Sequence, residues 1–400
     1  MSDKIQWLYR DTQFPGRTPE ALPQWLSPEA VRAVSGFHSR LPGYEATPLV
    51  SLEHTARRLG LGALYVKDES QRLNLNAFKV LGASYAIGRY LAQRAGVSLD
   101  TLSWQDLKGL AQSGSKPLTL VTATDGNHGR AVAWVAQQLG CRAVVYMPKG
   151  SAVHRLEAIK ETGAHAEITT LNYDDAVRLA AAMADDNGWV LIQDTAWEGY
   201  MEIPEWIMAG YATLADEIDR QLDGRPPTHL ILQAGVGSFA AGVLGAVASR
   251  WGAQKPVTVI AEPDGAACIY ASARAADGIL RIVSGDLNTI MAGLACGEPN
   301  LTAWPILRDY AEGWASCADV VAAEGMRRLA RPEPGDPPVV SGESGAVGMG
   351  ILCELARDPQ GEPCRRLGLG PESRVLLIST EGDTDPVNYR RIVDGTEDPS

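Results

Sequence analysis

Short apolar runs alternate with longer amphipathic stretches along most of the chain. Residues 63–66, 118–122, 142–147, 166–169, 190–192, 228–233, 257–261 and 374–379 are compact, aliphatic and often β-branched, and they predict strands. Residues 77–94, 129–139, 152–162, 173–187, 203–222, 239–250, 318–330 and 345–356 carry apolar positions at helical spacing and predict helices. Strands alternating with helices imply mostly parallel sheets joined by right-handed crossovers. Residues 1–46 break the rhythm. Pro15, Pro19, Pro23, Pro28 and Pro42 predict an arm laid over the surface, with a short helix over 28–34. The stretch 331–338 reads as a Pro-rich loop, and 394–400 as a frayed end.

Composition removes several classes. The 400 residues carry 36 Lys and Arg against 48 Asp and Glu, a net charge of −12, which argues against a nucleic-acid binder. No apolar stretch approaches the roughly 18 residues needed to span a bilayer. Met1-Ser2-Asp3-Lys4 does not open an apolar secretory leader, and six Cys without a CxxC pair make no disulfide scaffold. The expectation is a reduced, cytoplasmic protein whose cysteines, Cys268 and Cys296 included, stay free, although a regulatory pair between those two is conceivable. The His residues are scattered, so no metal site is expected. Glycine stands out. There are 41, about a tenth of the chain, where roughly 7% is usual.

In parallel α/β folds, ligands bind where strands end and helices begin. The stretch 228–233 runs into Ala234-Gly235-Val236-Gly237-Ser238-Phe239-Ala240, then a helix. Glycines there let backbone N–H groups approach an anion; a plain tight turn is the ordinary alternative. Gly235-x-Gly237-x-x-Ala240, with Glu262 after the next strand, also fits a dinucleotide fingerprint, and hence a nicotinamide-dependent dehydrogenase. A second junction places Lys79 at a helix start, behind Phe78 and ahead of Gly82, Ala83 and Ser84. The positive end of the helix dipole disfavours an ammonium charge and suits Schiff-base chemistry. By residue type alone, Lys79 would be a surface lysine.

The motifs taken together decide. Asn76-Ala77-Phe78-Lys79-x-x-Gly82-Ala83 resembles the cofactor-lysine motif of the fold type II pyridoxal-phosphate enzymes, the tryptophan synthase β-like family. Thr124-Asp125-Gly126-Asn127-His128-Gly129 is similar to that family's S-x-G-N-H-G loop, with the usual Ser replaced and Asp125 present. Gly235, Val236, Gly237 and Ser238 stand where the family has its phosphate loop. Thr289-Ile290-Met291-Ala292-Gly293-Leu294-Ala295 and Glu343-Ser344-Gly345-Ala346 resemble segments of the family's dehydratases. These motifs occur in the family's order and outweigh the dinucleotide match.

The resemblance implies a two-domain α/β fold, each domain a mostly parallel sheet flanked by helices. Residues 1–87 and 194–400 would form the large cofactor domain and 88–193 the small one. It implies pyridoxal 5'-phosphate linked to Lys79, with Phe78, Asn127, residues 235–238 and Glu343 around it and Ser379 or Thr380 at its pyridine nitrogen. It implies a small amino-acid substrate whose carboxylate meets backbone amides of Ala123, Thr124, Asp125, Gly126 and Asn127, and a homodimer. Asp194-Thr195-Ala196-Trp197-Glu198-Gly199-Tyr200, Met291–Pro299 and Ser379-Thr380-Glu381-Gly382-Asp383 resemble the branch of the family that eliminates ammonia from 2,3-diaminopropionate. Asp125 would be the base for the D-isomer and Lys79 for the L-isomer, with Asp194 on the β-amino group; helix capping is the ordinary alternative for both aspartates. The other readings are a serine or threonine dehydratase, a lyase of another β-substituted amino acid, and a non-catalytic amino-acid or cofactor sensor.

Overall fold

A computed structural model describes residues 4–10, 21–114, 116–124 and 126–395. Eleven strands form in chain order among the described residues: β1 Ile5–Tyr9, β2 Leu49–Ser51, β3 Ala63–Asp68, β4 Thr119–Ala123, β5 Arg142–Met147, β6 His165–Ile168, β7 Val190–Leu191, β8 His229–Gln233, β9 Val257–Pro263, β10 Gly313–Cys317 and β11 Arg374–Ser379. They make two sheets. One has seven strands in the order β1-β10-β9-β8-β11-β3-β2, and the other four in the order β6-β5-β4-β7. The smaller sheet is wholly parallel. The larger is parallel except at its two edges, where β1 and β2 run antiparallel to β10 and β3. One buried apolar cluster runs through both sheets, from Leu120 and Val145 to Leu230 and Leu376.

The α/β alternation expected from periodicity is present, and three of the differences have a clear physical cause. The arm is partly strand: Ile5–Tyr9 pairs along the β10 edge, and Pro28–His38 is a helix capped by Ser27. β10, Gly-Trp-Ala-Ser-Cys, is buried on both faces and so carries no alternation to detect. The helix expected over 203–222 is two helices, Glu202–Tyr211 and Thr213–Gln221. The first half packs on helix Val80–Ala95 and the second on helix Pro28–His38, so the break at Ala212 lets one segment serve two neighbours. A Cβ on Gly82 would lie 2.6 Å from Tyr211 Cε1, so that close helix crossing needs glycine.

Between β3 and the helix that follows Lys79, the chain makes tight turns through a short 3-10 segment, Glu69–Asn74. A buried ionic network holds it. Arg72 donates to Glu69 Oε2 at 2.8 Å and to Glu217 Oε1 at 2.8 Å, while Lys67 Nζ lies 2.6 Å from Glu217 Oε2. All four side chains are fully buried. Burying such charges is unfavourable unless each is paired and hydrogen-bonded, as these are. Despite burial, the Arg72 and Lys67 charges hold the Glu217 carboxyl down at about 2.

No helix among the described residues is long and apolar enough to cross a membrane.

Candidate active site

The carboxyl ends of β4, β8 and β11 converge on one cleft between the two sheets. Lys79 caps the amino end of helix Val80–Ala95 and points into it. Phe78 forms part of the wall, its ring 4.6 Å from Phe239 and 4.7 Å from Tyr211. Opposite lie Gly235, Val236, Gly237 and Ser238, which lead from β8 into helix Ser238–Trp251. A Cβ on Gly235 would sit 3.1 Å from Leu294 Cα and 3.2 Å from Gly293 O, and Gly237 has φ +97°, which favours glycine. The turn thus passes close under residues 292–296.

Asp194 lies two residues beyond the buried Ile192 and is itself buried. Its Oδ2 is 2.5 Å from Lys79 Nζ, and Tyr173 donates to its Oδ1 at 3.3 Å. His128 turns Nε2 to the Ile192 carbonyl at 2.8 Å and keeps Nδ1 3.9 Å from Asp194 Oδ2. Burial opposes ionisation of Asp194, but the Lys79 and His128 charges and the bonds from Lys79 and Tyr173 prevail and hold it at about 2. The neighbour that faces the Lys79 amine is therefore a carboxylate just beyond β7 as well as the helix end. Ser238 donates its hydroxyl to the Asp194 carbonyl and accepts from Asn300 Nδ2 at 2.7 Å, which ties the 235–238 loop to the Asp194 backbone.

The carboxylate loop differs in detail from expectation. Ala123, Thr124 and Asn127 line the cleft. Yet Ala123 N–H donates to Gln193 Oε1 at 2.9 Å, Thr124 N–H to Tyr146 O at 3.0 Å and Gly126 N–H to Thr124 Oγ1 at 2.9 Å. These three amides are engaged within the loop, and the helix that follows begins at Asn127. Asp125 lies outside the described residues. Asn127 donates Nδ2 to Glu381 Oε2 at 2.5 Å.

At the end of β11 the two expected hydroxyls separate. Thr380 lines the cleft and accepts from Gln233 Nε2 at 2.8 Å, whereas Ser379 is fully buried and donates to the Glu381 carbonyl at 3.3 Å. Glu343 stands away from Lys79. It lines a neighbouring hollow with Arg155, Asn288 and Asn388, which shares Tyr173 and Ala292 with the cleft. Burial, then the Glu381 charge, push its carboxyl up to about 7. Four residues to which the sequence assigned no role also line the cleft: Tyr173, Gln233, Ser344 and Glu381. Ser344 and Glu381 stand inside the quoted motifs; Tyr173 arrives from a helix without any local signal.

The dinucleotide alternative fails on Glu262. That carboxyl accepts Ile269 N–H at 2.8 Å and Tyr270 N–H at 2.6 Å, so it caps the start of helix Cys268–Ala275 rather than facing a ribose. Cys268 and Cys296 are both buried and form no disulfide, and both lie against Gly235.

Comparison with known proteins agrees with this geometry. The family model described as pyridoxal-phosphate dependent enzyme matches residues 40–380. The diaminopropionate ammonia-lyase of Salmonella typhimurium strain LT2 is 54% identical over 366 residues, covering 90% of this chain and 91% of that protein. The crystal structure of the Escherichia coli diaminopropionate ammonia-lyase with D-serine has a TM-score of 0.90 and 46% identity, covering 98% of each chain. The same enzyme in complex with an aminoacrylate–pyridoxal-phosphate reaction intermediate has a TM-score of 0.89 and 47% identity, covering 99% of this chain and 98% of that one. The chain belongs to the pyridoxal-phosphate dependent enzymes, and among them to the diaminopropionate ammonia-lyases.

Proposed function

We propose that this enzyme eliminates ammonia from 2,3-diaminopropionate, giving pyruvate and two ammonia, with pyridoxal 5'-phosphate held in the Lys79 cleft. The observation that carries the reading is the pairing of Lys79 Nζ with Asp194 Oδ2 at 2.5 Å in a cleft closed on its far side by a glycine turn and a helix start. The residues present fit the cofactor. The space kept open at Gly235 and the amino end of helix Ser238–Trp251 suit a phosphate. Lys79 offers the amine for its aldehyde, Asn127 an amide for its phenolic oxygen and Phe78 a wall. Thr380 accepts from Gln233, which leaves its own hydroxyl hydrogen for a pyridine nitrogen without a proton. When bound, the cofactor supplies an electron sink for the α-carbon.

The protein supplies the rest. The start of helix Asn127–Leu139 binds the substrate carboxylate. Lys79 Nζ removes the α-proton of the L-isomer. Asp125, from its place between Thr124 and Gly126, removes that of the D-isomer. Asp194, ionised across the working range, meets the β-ammonium and steadies the Lys79 ammonium between proton transfers. We read residues 88–193, which contain every strand of the smaller sheet, as the small domain, and the remainder as the large one. The family likeness also supports a cytoplasmic homodimer.

Turnover tests the reading. Purified enzyme loaded with pyridoxal phosphate should release pyruvate and two ammonia per D- or L-2,3-diaminopropionate, faster than from D- or L-serine. Serine as the better substrate would favour a dehydratase instead.

A further inference from the structure

Glu381 lines the same cleft as Lys79 and has no role in the chemistry above. Its backbone is stitched to the residues just ahead of Lys79: Ala77 and Glu381 form an antiparallel bridge, Phe78 N–H donates to Thr380 O at 3.1 Å, and Gly382 N–H donates to Asn76 O at 3.1 Å. Its side chain is equally confined. Oε2 accepts from Asn127 Nδ2 at 2.5 Å and from the Thr384 hydroxyl at 3.0 Å. A Cβ on Gly342 would come 3.0 Å from Glu381 Cγ, so glycine there keeps room for this carboxyl.

The other oxygen is different. Oε1 is buried and has no hydrogen-bond partner, and the residue is 2% exposed. A buried carboxylate oxygen without a donor is unfavourable and points to a group that arrives. Charge narrows the class. Lys79 and Asp194 balance one another. Among the described residues Glu381 makes no ion pair; Arg155, the guanidinium nearest along this chain of contacts, donates instead to Thr384 Oγ1 at 3.1 Å. Glu381 Oε1 is thus an acceptor without a donor in this lining, and the group it fits is a small cation with N–H donors.

We infer that Glu381 is a specificity residue: with Asp194 it forms a two-carboxylate receptor for the substrate's β-ammonium, and Oε1 is the acceptor. This rests on the reading that the substrate carries that ammonium. Serine presents a hydroxyl in its place and cannot neutralise the carboxylate. Glu381 also fixes Asn127 through Oε2, a positioning role separable from charge selection because glutamine can keep that acceptor.

The experiment compares kcat/KM for D-2,3-diaminopropionate and D-serine in wild type, Glu381→Gln and Glu381→Asp, with the absorption spectrum of each holoenzyme recorded. Glu381→Gln should retain the cofactor spectrum and lose preference for the diamine by roughly tenfold or more, the worth of a charged hydrogen bond. Glu381→Asp keeps the charge and should keep most of the preference. An unchanged ratio in Glu381→Gln, or a ratio lost equally in Glu381→Asp, overturns the inference. A lost spectrum with an unchanged ratio would make Glu381 a positioning residue only and also overturns it. If wild type does not turn over the diamine, the functional reading itself fails, and this inference with it.

Discussion

Lys79 Nζ and Asp194 Oδ2 meet at 2.5 Å, although 115 residues separate them. Lys79 comes from the turn after β3 and Asp194 from the end of β7, so each sheet contributes one partner. The pair balances its own two charges before substrate arrives and keeps a proton beside the position where one must move. Five measurements probe this arrangement and its surroundings.

Lys79→Ala removes the amine that carries the cofactor. The purified variant should lack the visible absorption of lysine-linked pyridoxal phosphate, and turnover should fall by about a thousandfold or more. A variant with wild-type absorption would remove Lys79 from the site.

Asp194→Asn keeps shape and removes charge. Because Asp194 is held at about 2, its ionisation lies below the working range. The wild-type kcat/KM profile above about pH 5 should therefore contain no limb from Asp194. The variant should lose roughly a hundredfold in kcat/KM for either isomer. A selective loss for one isomer would assign Asp194 a stereochemical role instead.

Asp125→Asn tests the second base. Turnover of D-2,3-diaminopropionate should drop by about a hundredfold while the L-isomer falls far less. Equal loss on both isomers would leave Asp125 a binding residue.

Glu343 provides a stability signature. Its folded pKa is raised from the usual 4.5 to about 7, so the folded state holds a proton that the unfolded chain has lost. Stability thus falls as pH rises through that window, by about 3 kcal/mol in total. Glu343→Gln should raise Tm at about pH 8 but change it little at about pH 4, as read by thermal melts at both values. Glu217 has the opposite sign. Its carboxyl is held at about 2, so its contribution is present above the usual 4.5 and lost as pH falls towards 2. Glu217→Ala leaves Arg72 and Lys67 buried without it and should cost about 3–5 kcal/mol in neutral denaturant unfolding.

Much of the protein was legible in one dimension. Periodicity separates strands from helices because a buried strand needs a short apolar run, and a helix facing a sheet needs apolar positions three and four apart. The junction motifs mark backbone that only glycine or a small residue can follow, and such constraints are local; hence spacing and likeness single out Lys79, Asn127 and residues 235–238, which line one cleft. What failed locally was decided at distance. Ile5–Tyr9 is a strand because the β10 edge lies there, and the helix over 203–222 breaks because two different neighbours claim its halves. Glu343 carries a motif yet faces another hollow, and Glu262 fits a fingerprint yet caps a helix. Of two adjacent hydroxyls, strand alternation turns Thr380 to the cleft and Ser379 away. Tyr173 needed the fold most, since nothing in its own segment says that it lines the cleft; Glu381 stands in a motif, but only the fold brings its side chain to the lining. The sequence by itself determined most of the element types and the glycine turns, because these follow from backbone sterics and residue chemistry within a few positions. Only the tertiary structure decided which carboxylates share the cleft, which are satisfied, and which oxygen is left waiting, because electrostatics and hydrogen-bond satisfaction depend on what packing brings together across the chain.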